Sequence, residues 1–570
     1  MRLVLPLRQG VPRWWKLAAL CVGLNLAETA LVVGFDPGMR PFLAPQASAI
    51  APFGIFGDMR WVSVYHDSWP ALIGELTAML VVRGAITALT VALAWPARLP
   101  RPPARALLSR AILASALAAV LLAPSVALLF GLAVVPVSWL FLAAVPAALL
   151  VAFILHPAAV SNDWWQRLVA PRAIGWVVLA FFTLTVAGAV VAATPAPLAP
   201  FVAVLSGLFN AWSWTGLVEA VTDRPPVKRV VPVAALCSLA LIGAAIGGAV
   251  LGFSLARNAE ASTLARRAVP TDSQYSHPGA RPGIAVLVVS GYGSDWDGSA
   301  VHPIPGNFVE ERFSYKGLSA QGMPLPYTSA DTAKPILQLD RMLLSQVDAL
   351  SAQAGEPVDV IAESEGALIA KTALIADPDV AVGTLVMASP LEEPGRVWYP
   401  TTGSQGWGVA SDEAMRLMSD AFQGVAPIDL SPSSPLLASL DGQAPLLQNA
   451  LSCPINGVHQ FALLPLADAT VTPATEQLPF PSVVLPAFHG GLLETTEGEQ
   501  IIARVLTDRP VGQDQLMALA DKVISYAASA WQVPSLAPSD YPGGARGRPD
   551  GRMGCTQVAV QLRAALSRAR

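Results

Sequence analysis

The stretch Ile361-Ala362-Glu363-Ser364-Glu365-Gly366-Ala367-Leu368 decides how the second half of this chain is read. An apolar, β-branched run (Val358, Val360, Ile361) leads into Ser364, and a helix-like run from Ala367 to Ala373 leads away from it. The pattern predicts a strand, a tight turn and a helix, with a serine at the apex. Small residues stand two before (Ala362) and two after (Gly366), where strand and helix backbones crowd together. The turn exposes the hydroxyl. The start of the helix supplies a positive dipole end and the Glu365 N–H as a candidate oxyanion donor.

Working outward, Gly283 to Val289 reads as a buried strand ending in Ser290-Gly291-Tyr292-Gly293-Ser294. Arg312-Phe313-Ser314-Tyr315 reads as the next strand. Thr328 to Asp331 has capping-box spacing, and Ile336, Leu339, Leu343, Val347 and Leu350 then fall on one helical face. After the serine helix, Val380 to Met387 is another apolar strand. This alternation implies a mostly parallel α/β sheet, with strand ends and Ser364 on one edge. Phe461 to Asp468 reads as a strand ending in a carboxylate, with Ala469-Thr470-Val471-Thr472-Pro473 after it. Ser482 to Leu485 is the next strand, followed by Phe488-His489-Gly490-Gly491.

Over about 280–530 these motifs resemble the α/β-hydrolase superfamily. The turn at Ser364 is similar to its nucleophile elbow, with Ala362 replacing the first glycine of G-x-S-x-G. The loop at 290–294 is similar to the family's His-Gly-x-Gly loop, with Ser290 in place of the histidine. That resemblance implies Tyr292 as the second oxyanion N–H, with Gly293 as the alternative. It also implies Asp468 as the strand-end acid and His489 as the general base, in the chain order this fold uses. The chemistry requires such a set. A serine hydroxyl is a poor nucleophile until a histidine takes its proton, and a buried carboxylate orients that histidine. His302 and His459 are competing bases, but His459 precedes its strand and belongs to the opposite edge. Glu476 is the reserve acid. No metal or cofactor is required. Residues 390–450, rich in Pro, Gly and Ser with Trp398, Tyr399 and Trp407, read as a cap or lid, or as a plain surface insertion.

The rest of the chain sets the context. At 570 residues, with 13% charged residues and a mean hydropathy of +0.51, it has the composition of a polytopic membrane protein. Residues 1–257 carry 17 Lys/Arg and 8 Asp/Glu, and residues 258–570 carry 19 and 32. A basic half therefore precedes an acidic one. No basic, aromatic-studded run marks a nucleic-acid surface. Neither zinc-like Cys/His clusters nor a phosphate-binding glycine loop occurs. Of the four cysteines, Cys21 and Cys237 fall in apolar spans. Cys453 and Cys555 are the natural disulfide pair if the acidic half lies outside the cytoplasm.

About seven spans are expected: Leu17 to Phe35 (an uncleaved signal anchor), Trp69 to Trp95, two within the charge-free 111–155 turning near Pro136, two within 173–218 turning at Pro195–Pro200, and Val230 to Ala256. Thirteen Lys/Arg fall at the N-terminus and in the loops after spans two, four and six, against Arg40 and Arg60 in the other loops. The positive-inside rule then puts the N-terminus in the cytoplasm and the C-terminal half outside. Glu28, Glu75, Arg83, Asn210 and Glu219 are polar residues within spans or at their ends. Pairing of Arg83 with Glu28 or Glu75 would lock the bundle, and a relay role is the alternative. His66 and Asp67 read as interface anchors or as lining for an active-site mouth.

The expected organisation is a helical transmembrane domain over 1–257, a linker over 258–279 and an α/β-hydrolase domain over 280–570. The basic helix near Thr556 to Arg570 either packs as the last helix or touches lipid heads. The expected function is a membrane-integrated, extracytoplasmic serine hydrolase cleaving a carboxylic ester of a lipid or acylated envelope compound. Alternatives are an acyltransferase using the same triad, or a transporter or sensor with a non-catalytic ligand-binding domain. The expected partners are the bilayer and the ester.

Overall fold

The computed structural model describes residues 11–35, 37–132, 148–161, 171–223, 283–299, 304–306, 308–391, 394–395, 397, 399–400, 403, 405–422, 429, 431–466, 478–487, 489–493, 495–536 and 553–568. The expected turn near Pro136, the seventh span, Cys237, the 258–279 linker, His302, Trp398, Asp468 and Glu476 lie outside these residues.

The N-terminal half is helical: α1 (Val11–Phe35), α2 (Ala51–Tyr65), α3 (Trp69–Ala94), α4 (Ala104–Leu132), α5 (148–155), α6 (Pro171–Ala193) and α7 (Ala199–Thr222). Among the described residues, five stretches are long and apolar enough to cross a membrane: Arg13–Gly34, Trp69–Ala94, Ala104–Ala127, Pro171–Ala193 and Ala196–Thr222. A short 3-10 turn (Ala196–Leu198) joins α6 to α7 at the expected proline cluster. Large apolar side chains such as Val120, Phe182, Val186 and Phe201 are exposed along these helices, as lipid-facing residues are.

The segment between the first two expected spans is, over 37–66, a re-entrant element. Residues 43–50 descend between the helices and α2 returns, with Phe53, Ile55, Phe56 and Arg60 fully buried. Intramembrane polar side chains satisfy the irregular backbone. Asn25 donates to Pro45 O at 3.2 Å and accepts from Ser48 N at 3.0 Å. Glu28 Oε2 accepts from Gln46 N and Ala47 N, both at 2.8 Å. Trp214 Nε1 donates to Ser48 O and Asn210 Nδ2 to Ser48 Oγ, both at 2.9 Å. Asn25 is nine residues from Gly34, so the loop tip lies about 14 Å below that end of the span. Non-helical backbone survives at such depth only when protein groups replace water. Arg83 pairs with Asp58 of α2, not with the expected Glu28 or Glu75, and also donates to Gln46 O and Ala47 O.

Among the described residues, the C-terminal half holds a six-stranded parallel sheet in the order β2-β1-β3-β4-β5-β6. Its strands are β1 (Ile284–Val289), β2 (Phe308–Arg312), β3 (Val358–Glu363), β4 (Val382–Ala388), β5 (His459–Pro465) and β6 (Ser482–Leu485). Its helices are α8 (Ile336–Ala354), α9 (Glu365–Ala376), α10 (Val409–Phe422), α11 (Pro435–Gly442), α12 (Ala444–Ala450), α13 (Thr496–Val505), α14 (Gln515–Ser529) and α15 (Cys555–Arg568). Alternate strand residues face opposite layers. Leu287, Val360 and Leu385 share a core with Leu339, Leu343 and Leu368 of α8 and α9. Val286, Ile361, Val386 and Leu463 share the other with Ile501, Ile502 and Val505 of α13. Burial on both faces explains why the strands read as continuous apolar runs.

β2 lies four residues earlier than expected. Its sequence, Phe308-Val309-Glu310-Glu311-Arg312, is polar because it is an edge strand. The buried Phe313 and Tyr315 lie past its end, after a last bond from Phe313 N to Val288 O at 2.9 Å. The Thr328–Asp331 capping box forms, but on a 3-10 turn (Ser329–Thr332), while α8 starts after Pro335. The closing basic helix packs as α15, with Val558 and Leu562 buried, and Arg563 donates to Ala376 O at the end of α9. A disulfide joins Cys453 to Cys555, with a Cα separation of 5.3 Å.

The crosslink closes a loop of 102 residues. Cys453→Ser is expected to destabilise the α/β half by about 2–5 kcal/mol. Reductant should lower the melting temperature of the wild type to that of the variant and leave the variant unchanged. Melting of the variant at the wild-type temperature would refute this.

The two halves dock. Gly406 N donates to Asp67 O at 2.9 Å, Gly408 N to His66 O at 2.7 Å, and Ala410 N to His66 Nε2 at 2.9 Å. His66 is fully buried, so it is a joint between the halves and not an interface anchor. Tyr399 donates its hydroxyl to Phe130 O at 3.0 Å. After α14, Trp531 enters the bundle, stacks on Phe181 with ring centroids 5.0 Å apart, and donates to Thr185 Oγ1 at 2.9 Å. Arg60 donates to Gln532 O.

Candidate active site

Ser364 stands between β3 and α9 with φ 54° and ψ −115°. A non-glycine residue rarely adopts such a backbone, which costs about 1–3 kcal/mol and persists only where its surroundings enforce it. Here Ser364 N donates to Ala388 O at 2.9 Å, and Ser364 O accepts from Ala367 N at 3.1 Å as α9 begins. Gly366 is required by packing: a Cβ there would lie 2.7 Å from Val289 O and 2.8 Å from Ser290 O. The crowding read from the sequence is therefore the contact of the first turn of α9 with the end of β1.

His489 sits in the turn beyond β6, and its Nε2 lies 2.7 Å from Ser364 Oγ. The pair is 125 residues apart in sequence. β1 and β3 are neighbours at the point where the chain order reverses across the sheet. Crevices outside the carboxyl ends of strands at such a point are where open α/β sheets bind ligands. His459 opens β5 at the opposite edge, as its position before the strand implies.

The loop after β1 lies against the serine: a Cβ at Gly291 would be 3.1 Å from Ser364 Cβ. Gly293 N donates to Thr332 Oγ1 at 3.0 Å. The Gly293 N–H is thereby already engaged. Glu365, as the first residue of α9, has an N–H with no carbonyl one turn back to bond. The loop is braced from β2 and beyond: Arg312 donates to Ser290 Oγ, and Tyr315 donates its hydroxyl to Ser290 O. These braces were missed in the sequence because they come from side chains at the far edge of the sheet. Ser389 was also missed. It ends β4 beside Ser364, fully buried, with φ 48°. A serine after an apolar strand carries no signal of that geometry.

The Glu365 side chain points away from solvent, 2% exposed, with Oε2 3.5 Å from the Tyr315 hydroxyl. Burial pushes its carboxyl well above the usual carboxylate range, against a smaller lowering by Tyr315. The folded chain therefore keeps this proton at pH values where the unfolded chain, near pKa 4.3, has released it. The unfolded state binds fewer protons, so this group removes stability as pH rises above that value. Glu365→Gln cannot titrate. Its melting temperature is expected to rise relative to wild type from pH 5 to pH 8, by up to about 1.4 kcal/mol of stability per pH unit. A constant difference between the two proteins across that range would refute the neutral acid.

No family model matches the chain, and neither the curated proteins nor the solved structures contain a match.

Proposed function

We propose that this chain is a membrane-integrated serine hydrolase of α/β-hydrolase type that cleaves carboxylic esters through an acyl-enzyme. The observation that carries the reading is the 2.7 Å approach of Ser364 Oγ to His489 Nε2, with the serine on a strained strand-to-helix turn. Ser364 Oγ attacks the ester carbonyl carbon while its proton passes to His489 Nε2. The carbonyl oxygen, now anionic, takes hydrogen bonds from the Glu365 and Tyr292 N–H groups. The C–O bond to the leaving alcohol breaks as His489 returns the proton to that oxygen. Water, deprotonated by His489, then releases the acid and restores the serine. Asp468 orients the histidine in this scheme.

The substrate we favour is an ester of a lipid or acylated envelope compound. The chain leaves β4 beside Ser364 and reaches the bundle at Tyr399 and Gly406–Gly408, which supports a site near the membrane. Residues 390–450 act as a cap in this reading, supported by the bond from the Tyr292 hydroxyl to Asp429 O. The α/β half is extracytoplasmic and the full span count is seven. Two features support the sidedness. Arg98 pairs with Asp223 at the arginine-rich end of the bundle, whereas the α/β half docks at the other end. The Cys453–Cys555 disulfide also suits an oxidising compartment.

The test is a membrane-impermeant fluorophosphonate applied to intact cells, with the modified peptide identified by mass. Labelling of Ser364 is expected. Labelling of Ser364 only after lysis would reverse the sidedness, and no labelling of Ser364 in either case would end the enzymatic reading.

A further inference from the structure

The helix α14 is inside out for a helix in water. Its exposed face carries Leu516, Leu519 and Val523, 78%, 59% and 59% exposed, at i, i+3 and i+7 spacing. Its buried side includes Ser525, at 2%. A water-facing helix carries polar residues on the open stripe. Contiguous apolar exposure of this kind marks an interaction surface.

The helix also ends inside the membrane bundle. At its start, Gln513 Oε1 accepts from Val484 N at 3.3 Å and Met517 packs on Leu464 and Val484 of the sheet. At its far end, a Cβ added to Gly188 of α6 would lie 2.3 Å from the Ala530 Cβ. Gly188 is five residues before Ala193, the end of α6, which is about 8 Å into the span. The bond from Trp531 to Thr185 Oγ1 is deeper still, at about 12 Å. A helix of 15 residues is about 22 Å long, so α14 runs from the edge of the sheet down to hydrocarbon depth. It packs against α6, whose outward Phe182 and Val186 are 58% and 59% exposed. The packed pair of helices thus presents exposed apolar side chains from both members.

We propose that α14 enters the leaflet on the side of the α/β half, with Leu519 and Val523 facing lipid where the acyl chains meet the headgroups. The occupant of this face is the lipid of the bilayer. Exposed Lys522 on the same face extends its ammonium to the headgroups while its stem lies along the apolar stripe. The α/β half is thus held at the membrane by insertion as well as by its docking contacts. This inference does not depend on the hydrolytic reading of Ser364.

The experiment uses the full chain in liposomes, with Cys21 and Cys237 replaced by alanine and the disulfide kept. Nitroxide labels are placed singly through Leu519→Cys and Val523→Cys, with Val186→Cys on α6 as the lipid reference and Glu356→Cys as the water reference. Collision rates are measured with oxygen, which concentrates in hydrocarbon, and with a water-soluble nickel chelate. Both α14 labels are expected to follow Val186, with oxygen collisions exceeding chelate collisions. Chelate collisions as frequent as at Glu356 would overturn the proposal. Shielding from both reagents would overturn it too, since protein, such as a second copy of the chain, would then cover the face.

Discussion

Ser364→Ala and His489→Ala are each expected to lower ester turnover by about 10⁴- to 10⁶-fold, and the double variant to be no slower than either single one. The second half of that statement is the stronger. In the proposed mechanism the hydroxyl and the imidazole act as one device: His489 has no proton to take once Ser364 is alanine, and Ser364 is a poor nucleophile once His489 is gone. Their 2.7 Å separation is the physical basis for that coupling. Two residues contributing independently would multiply their losses. Residual rate in all three variants should be similar, because on the proposed mechanism it comes from substrate binding and the Glu365 and Tyr292 N–H groups, which the substitutions leave in place. The measurement is turnover of a short-chain aryl ester by purified protein, with melting temperatures to show that the variants fold. A double variant slower than both singles by a further factor of 10² or more would break the pairing.

The serine was legible because its geometry is local. Four residues around Ser364 dictate a strand end, a backbone forced to positive φ and a helix start, and Gly366 answers to backbone atoms of β1 that any such turn must pass. His489 was legible through its place after a strand. The braces on the Ser290–Tyr292 loop were not, because Arg312 and Tyr315 reach it only after β2 pairs with β1. The apolar character of Phe313 and Tyr315 even drew the expected strand past its true end. The membrane half shows the same division. Span positions follow from hydropathy over about 20 residues. The re-entrant segment does not, since proline, glycine and aromatic residues over 36–66 suit a surface loop equally well. What buries that segment is a set of partners from α1, α3 and α7, and no periodicity within 36–66 announces them.

Arg83→Ala is expected to destabilise the helical half by about 3–5 kcal/mol, the usual consequence of stranding one partner of a buried ion pair. The guanidinium does three things at once. It forks onto both oxygens of Asp58, and it donates to Gln46 O at 3.1 Å and to Ala47 O at 2.8 Å. Gly54 makes room for it, since a Cβ there would lie 2.6 Å from Nη1. Without it, the partly buried Asp58 carboxylate and two carbonyls at the re-entrant tip lose their donor. At about 2–4 °C per kcal/mol for a unit of this size, the melting temperature in detergent should fall by about 6–20 °C. Arg83→Lys should recover only part of the loss, because an ammonium cannot reproduce the fork. Joint replacement by apolar residues, Arg83→Met with Asp58→Leu, should recover more of the pair term and none of the carbonyl term. Because α2 also presents Arg60 to Gln532 O and His66 to Ala410 N, loosening the tip should weaken docking of the α/β half as well. Limited proteolysis between the halves should therefore accelerate in Arg83→Ala. An Arg83→Ala protein that melts within about 1 °C of wild type would mean that the re-entrant segment is held by packing alone and that the intramembrane ion pair is dispensable.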